Sequence, residues 1–220
     1  VNNLLNLSAN NTTITSKDDV NDYLKIVGNS NNINIKNGND SLIVEGNDNT
    51  INATTGNKNF QVVGDNNTYN GSSGINTVLV NGNSNRILGG ESADIINIQS
   101  GSDNSIMGND GDDIITISSA NNNVYGGDGK DTIIMDASNS ASYTIDGGSG
   151  DDLIYIKGSS STGLINGGSG NDEIVVTGSD NTNIATGSGN DSIINQGNNN
   201  AFVNSGGNDV INEEGSSVLT

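Results

Sequence analysis

The sequence predicts an all-β chain wound as a right-handed parallel β-solenoid of about eleven coils, each 18 to 21 residues long. Three observations carry that reading. One position recurs at coil spacing along nearly the whole chain, apolar residues alternate with polar ones just after each recurrence, and glycine and asparagine gather between the apolar runs. The first sets the length of a coil, the second marks its strands, and the third marks its turns.

Aligned on one residue per repeat, the chain reads Asp22, Asp40, Lys58, Asn76, Asp94, Asp113, Asp131, Asp152, Asp172, Asp191 and Asp209, with spacings of 18, 18, 18, 18, 19, 18, 21, 20, 19 and 18. Two and four residues after the first nine anchors come Leu24 and Ile26, Leu42 and Val44, Phe60 and Val62, Val78 and Val80, Ile96 and Ile98, Ile115 and Ile117, Ile133 and Met135, Ile154 and Ile156, Ile174 and Val176. A period of two describes a strand with one face inward. Eleven or twelve residues after the anchor stands a second set, Ile33, Ile51, Tyr69, Ile87, Ile106, Val124, Tyr143, Leu164, Ile184 and Phe202, which predicts the opposite strand of the same coil. Stacked at the ~4.8 Å spacing of a sheet, ten such steps make a rod about 50 Å long. The extra residues of the two longest repeats fall near Ser138-Asn139-Ser140 and Ser159-Ser160-Ser161, where a loop can bulge without disturbing the stack.

Composition agrees with so thin a core. Of 220 residues 43 are Asn and 31 Gly, 30% are apolar and 3% aromatic, which without the repeat would read as disorder. There are 26 acidic and 7 basic residues, a net charge of −19, and no Cys, Pro, His or Trp. Such a charge disfavours nucleic acid and anionic membrane surfaces, and makes a cation the natural partner. Lack of Cys and His excludes disulfides, zinc sets and His-based nucleophilic triads. Adjacent acids such as Asp151-Asp152 point to opposite faces of a strand, so a paired acid/base role is not expected and the chain does not read as an enzyme. No apolar run approaches the 18 residues that would insert in a bilayer. Opening on Val1-Asn2-Asn3, the chain reads as a piece of something longer, with further domains beyond it.

The turns are of two kinds. Two residues before the anchor, nine of the eleven repeats carry glycine: Gly38, Gly56, Gly74, Gly111, Gly129, Gly150, Gly170, Gly189 and Gly207. From the sixth repeat the turn sharpens into Gly108-Asn109-Asp110-Gly111-Asp112-Asp113, Gly126-Gly127-Asp128-Gly129-Lys130-Asp131, Gly147-Gly148-Ser149-Gly150-Asp151-Asp152 and Gly167-Gly168-Ser169-Gly170-Asn171-Asp172. This series resembles the GGxGxDxUx nonapeptide of RTX (repeats-in-toxin) proteins, whose β-roll binds calcium in such turns. Calcium takes six to eight oxygen ligands, and stacked aspartates repel one another without a cation between them. The resemblance implies a calcium row built on Asp113, Asp131, Asp152, Asp172 and Asp191, closed by Asp209, with Gly108, Asp110, Gly126, Asp128, Gly147, Ser149, Gly167 and Ser169 as the turn residues of the sites. Thr186-Gly187-Ser188-Gly189 and Ser205-Gly206-Gly207 depart from the pattern, so the last site is expected to be weak or empty. Upstream, Gly89-Gly90-Glu91-Ser92-Ala93-Asp94 lacks one glycine, and Lys58 and Asn76 replace the aspartate, with the Lys58 ammonium placed to offset Asp40.

On the other side the turns read Gly28-Asn29-Ser30-Asn31, Gly46-Asn47-Asp48-Asn49, Gly64-Asp65-Asn66-Asn67 and Gly82-Asn83-Ser84-Asn85. Asparagine tolerates the left-handed conformation, and stacked amides both donate and accept, so this side reads as a neutral ladder that needs no calcium. RTX coils usually bind ions at both turns, and here the pattern departs from the family. One continuous solenoid thus divides into Asn-rich coils over residues 1–104 and RTX-like coils over residues 105–220.

The resulting expectation is a calcium-binding structural module of a secreted or cell-surface bacterial protein of toxin, adhesin or S-layer type, extracellular, with folding coupled to calcium. The alternatives are a filament-forming extracellular subunit and a glycan- or ice-binding solenoid. Outward residues such as Leu153, Tyr155, Glu173 and Val175 vary too much for a regular ice-binding face. Asn195 and Glu213 stand where inward apolar residues are expected, so the C-terminal end reads as an open edge, either covered by further sequence of a longer chain or stacked end to end on another copy.

Overall fold

A computed structural model describes residues 3–137, 142–181, 183–203 and 206–219. Val1, Asn2, Ser138-Asn139-Ser140 and Ser205, named above, lie outside the described residues. The described chain contains no helix and folds as two twelve-stranded sheets, each strand pairing with the strand two places on in the sequence. All pairings are parallel, and together they form a β-solenoid of twelve coils rather than eleven. The additional coil is the first, made of β1 (Asn3–Ser8) and β2 (Thr13–Thr15). Asn3 pairs with Asp22 and Ile14 with Ile33. An alignment begun at the first acidic anchor passes over it, because asparagine holds the anchor place there.

All eighteen residues predicted to face inward after the anchors are buried, from Leu24 and Ile26 to Ile174 and Val176. The opposite sheet agrees through Val124 and again at Ile184 and Phe202, and departs in the two coils between. Val124 pairs with Ile145 and Ile145 with Ile165, both fully buried. Tyr143 is buried just before its strand, whereas Leu164 faces out and is 50% exposed. The physical reason is where the extra residues enter. They lengthen the loop before the second strand, whereas the path from its inward residue to the next anchor is seven residues in each of these coils, as from Ile87 to Asp94 or Ile165 to Asp172. Counting forward from the preceding anchor carries the insertion into the strand; counting back from the next does not.

Each buried Ile, Val or Leu contributes roughly 1.5–3 kcal/mol by leaving water. That stabilisation is distributed coil by coil, as in other stacked repeats. Near the C-terminal end, Asn195 replaces an apolar side chain in the core. It is fully buried, and its amide donates to Glu213 Oε1 at 2.7 Å while accepting from Asn200 Nδ2 at 2.8 Å. In the last described coil Val210, Val218 and Leu219 are more than half exposed.

A candidate cation row in the glycine-aspartate turns

If the residues two and four places after an anchor face inward, so does the anchor. Asp40, Asp94, Asp113, Asp131, Asp152, Asp172 and Asp191 are accordingly 3% exposed or less, their side chains turned into the solenoid at the corner where each turn meets its strand. Asp209, in the last described coils, is only half-buried. The carboxylates form a ladder along the axis. The N–H of Asp94 donates to Asp113 Oδ1 at 2.6 Å, Asp113 to Asp131 at 2.8 Å, Asp131 to Asp152 at 2.8 Å, Asp152 to Asp172 at 2.9 Å, Asp172 to Asp191 at 2.8 Å and Asp191 to Asp209 at 3.1 Å. One oxygen of each carboxylate is thereby satisfied.

The other oxygen is not. Oδ2 of Asp94, Asp113, Asp131, Asp152, Asp172 and Asp191 is buried and has no hydrogen-bond partner. What faces it is set by the first glycine of each turn. A Cβ built on Gly108 would stand 2.0 Å from Asp113 Oδ2 and 2.4 Å from the carbonyl oxygen of Gly126 in the next coil. The same point on Gly126 lies 2.3 Å from both Asp131 Oδ2 and Gly147 O, and on Gly147 2.4 Å from Asp152 Oδ2 and 2.2 Å from Gly167 O. On Gly167 it lies 2.6 Å from Asp172 Oδ2 and 2.1 Å from Thr186 O. Each glycine therefore leaves a slot in which a carboxylate of its own coil and a carbonyl of the next are both acceptors with nothing to donate between them.

The opposite corner of the solenoid shows the arrangement with its donor in place. Asn31 N–H donates to Asn49 Oδ1 at 3.0 Å and Asn49 N–H to Asn67 Oδ1 at 2.9 Å, matching the aspartate ladder. There the second side-chain atom is an amide nitrogen, and Asn49 Nδ2 donates to Gly28 O at 3.0 Å, Asn67 Nδ2 to Gly46 O at 2.9 Å and Asn85 Nδ2 to Gly64 O at 3.0 Å. The ladder continues through Asn104 and Asn122 and reappears at Asn181 and Asn200. It thus runs into the second half of the chain, beyond the four turns that suggested it. The left-handed residue of these turns is not the ladder asparagine but the one before it, Ser30, Asp48, Asn66 or Ser84, with φ of 55–59°. The ladder asparagine of each of these turns stands one residue before its strand, where its amide reaches the neighbouring coils.

Burial without a partner raises the carboxyl pKa values. Asp113 and Asp152 are pushed up to about 7, and Asp94, Asp131 and Asp172 to about 6. Desolvation is the largest cause; the backbone N–H bonds pull the other way, and neighbouring carboxylates add to the rise for Asp113, Asp131, Asp152 and Asp172.

Of the residues marked in the sequence, the structure brings together Asp113, Asp131, Asp152 and Asp172 with the glycines at 108, 126, 147 and 167. Asp94 joins the same row with Gly89: a Cβ there would lie 2.5 Å from both Asp94 Oδ2 and Gly108 O. The Gly89-Gly90 pair five residues before the anchor was the signal for it. Asp110, Asp128, Ser149 and Ser169 are not brought in. They form a separate register row, with side chains exposed or half-buried, and Ser149 Oγ donates to Asp128 Oδ1. Asp112 and Asp151, beside the buried anchors, also face outward and accept the N–H of Lys130 and Asn171. At the C-terminal end the buried Thr186 side chain stands where a slot glycine would be, and its hydroxyl donates to Asp209 Oδ2 at 3.3 Å.

The nine glycines two residues before the anchors all have positive φ, between 95° and 143°. At Gly129 this conformation turns its N–H onto Ser149 O at 2.8 Å, and a side chain would strike the carbonyl of Gly111 at 2.3 Å. Donor chemistry in the slots is oxygen only, carboxylate and carbonyl, which suits a hard cation. Among the described residues no three acidic side chains converge on one point, and the acceptor facing each carboxylate across its slot is a backbone carbonyl of the next coil. No family model matches the chain, and no curated protein and no solved structure matches it.

Proposed function

We propose that the chain is a calcium-binding structural module whose later coils are stabilised by a row of ions along the glycine-aspartate corner. The observation that carries this reading is the file of buried Oδ2 atoms, from Asp94 to Asp191, each without a hydrogen-bond donor. Stacked carboxylates facing carbonyl oxygens need a positive charge between them, and calcium accepts such ligands. The turn motifs that resemble RTX repeats point the same way, and with them to a secreted or surface-attached protein, where calcium is abundant. In that setting the folding of the later coils is coupled to the ion, which adds stability that the calcium-free chain lacks.

Calorimetric titration tests the reading, alongside thermal unfolding in calcium and in chelator. Several ions bound with affinities on the order of 10⁻³ M or tighter, and a higher midpoint in calcium, are expected. No uptake at millimolar calcium would overturn it.

A further inference from the structure

Along the corner where carboxylates lack partners, one coil is different. Lys58 occupies the anchor position between Asp40 and Asn76, in register with both. Its side chain and that of Asp40 are fully buried, and Nζ lies 2.9 Å from Asp40 Oδ2. The ammonium also donates to Thr55 O at 2.9 Å, to Lys36 O at 3.1 Å and to Gly38 O. Three N–H groups meet three carbonyls, and the carboxylate balances the charge. Four oxygens, drawn from two successive coils, surround one positive centre in an arrangement suited to a bound cation, with nitrogen at its middle.

The next step up the ladder is also satisfied from within. Asn76 Nδ2 donates to Gly74 O at 2.8 Å and to Gly89 O at 3.2 Å, the latter being the turn carbonyl that, one coil later, faces a bare carboxylate oxygen. From Asp94 onward no side-chain nitrogen among the described residues reaches these oxygens, and the orphaned Oδ2 atoms run on to Asp191. The change from satisfied to unsatisfied falls between Asn76 and Asp94.

We infer that Lys58 is a built-in counter-ion, its ammonium filling a cation cage between two coils so that the coils around Asp40, Lys58 and Asn76 stand without dissolved metal. These coils then offer a formed edge on which the cation-dependent coils stack. The contrast with the later coils rests on the calcium reading above; the role of Lys58 in its own cage does not. A lysine is suited to it because its long stem can be buried among apolar neighbours while the head meets the carbonyls.

Three variants of the full chain test this by hydrogen exchange in chelator and by calcium titration. In chelator the wild-type chain keeps residues 22–81 protected. K58M retains the stem and removes the charge, leaving Asp40 buried and unpaired, and lowers protection there roughly a hundredfold or more. D40N/K58M, which removes both charges, restores most of it. K58D empties the cage of its ammonium and adds a carboxylate, and takes up one calcium ion more than wild type. Wild-type protection of residues 22–81 in K58M, or a double variant no better than K58M, would overturn the counter-ion. A calcium-binding wild type with no further ion in K58D would overturn the cage as a cation site. A wild type that takes up no calcium fails the calcium reading instead, and the chelator measurements on K58M and D40N/K58M still decide the counter-ion.

Discussion

The Asp131 N–H donates to Asp152 Oδ1 at 2.8 Å, while Asp152 Oδ2, on the same carboxylate, is buried with no donor in reach. The first contact locks two coils in register, and the second leaves a site that only a proton or a cation can complete. A carboxylate held this way is both a rung and a ligand. The asparagine ladder across the solenoid shares the rung and lacks the ligand, since Asn49 carries its own donor to Gly28 O. The two corners of one coil thus solve one geometric problem, one with nitrogen and the other with a missing charge.

Replacing Asp152 with Asn converts the unsatisfied acceptor into a donor aimed at Gly167 O, as Asn76 is aimed at Gly89 O. In chelator the variant is expected to be more stable than wild type by about 1–3 kcal/mol, the cost of an unpaired buried polar group. In calcium it binds at least one ion fewer. Denaturant unfolding in chelator, with a calcium count by calorimetry, reads both. A variant less stable in chelator, with calcium uptake intact, would show that Oδ2 is not the defect it is taken to be.

Gly147→Ala isolates the slot from backbone strain, because the φ of Gly147 lies outside the left-handed region. The new methyl would press on Gly167 O and Asp152 Oδ2 at 2.2 and 2.4 Å. An overpacking cost of about 1–3 kcal/mol is expected in chelator. The distinguishing effect is on calcium, whose stabilisation of the chain falls because the methyl fills the place of an ion. A wild-type calcium response in this variant would move the ion away from the slot.

Much of this was legible in the sequence, and the failures have identifiable causes. A period of 18 with apolar residues at two fixed offsets placed every predicted inward residue of the first sheet correctly, from Leu24 to Val176. The same parity implied that the anchors themselves point inward, a step that reading them as turn residues concealed. Leu164 was misplaced because loop insertions lie before the second strand, where chain length is free, and not after it, where the slot geometry fixes seven residues. Asp110 and Asp152 look alike as letters in a motif. Only the fold separates an outward side chain at a strand end from a buried one with an orphaned oxygen.

Asn49→Ala removes a rung from the neutral corner, leaving the Asn31 N–H and Gly28 O without side-chain partners. Each such loss costs about 1–3 kcal/mol when water cannot replace the partner. Stability falls by that order in chelator and in calcium alike, and the number of bound ions stays that of wild type. Calorimetry on the variant checks this; a lost ion would mean that the asparagine corner takes part in cation binding.

The pH dependence of the calcium-free chain has a sign opposite to ordinary acid unfolding. Asp113 and Asp152 titrate at about 7 in the folded chain, and Asp94, Asp131 and Asp172 at about 6, chiefly because burial disfavours their charge. Unfolded, each returns to about 3.9. Between these values the folded state holds more protons than the unfolded one, so stability falls as pH rises. The carboxyl contribution in chelator is therefore fully present below about pH 4, is lost progressively up to about pH 7, and changes little above that. Asp151, exposed and lowered by the Asn171 N–H, works the other way but stands in water. Calcium reverses the trend, since it competes with the protons for the same oxygens and gains as they leave. Unfolding midpoints measured in chelator near pH 4, 5.5 and 8 are expected to decline in that order, and the stabilisation by calcium to grow in the same order. A midpoint in chelator that climbs from about pH 4 to about pH 7 would mean that the buried carboxylates find a partner in the calcium-free fold.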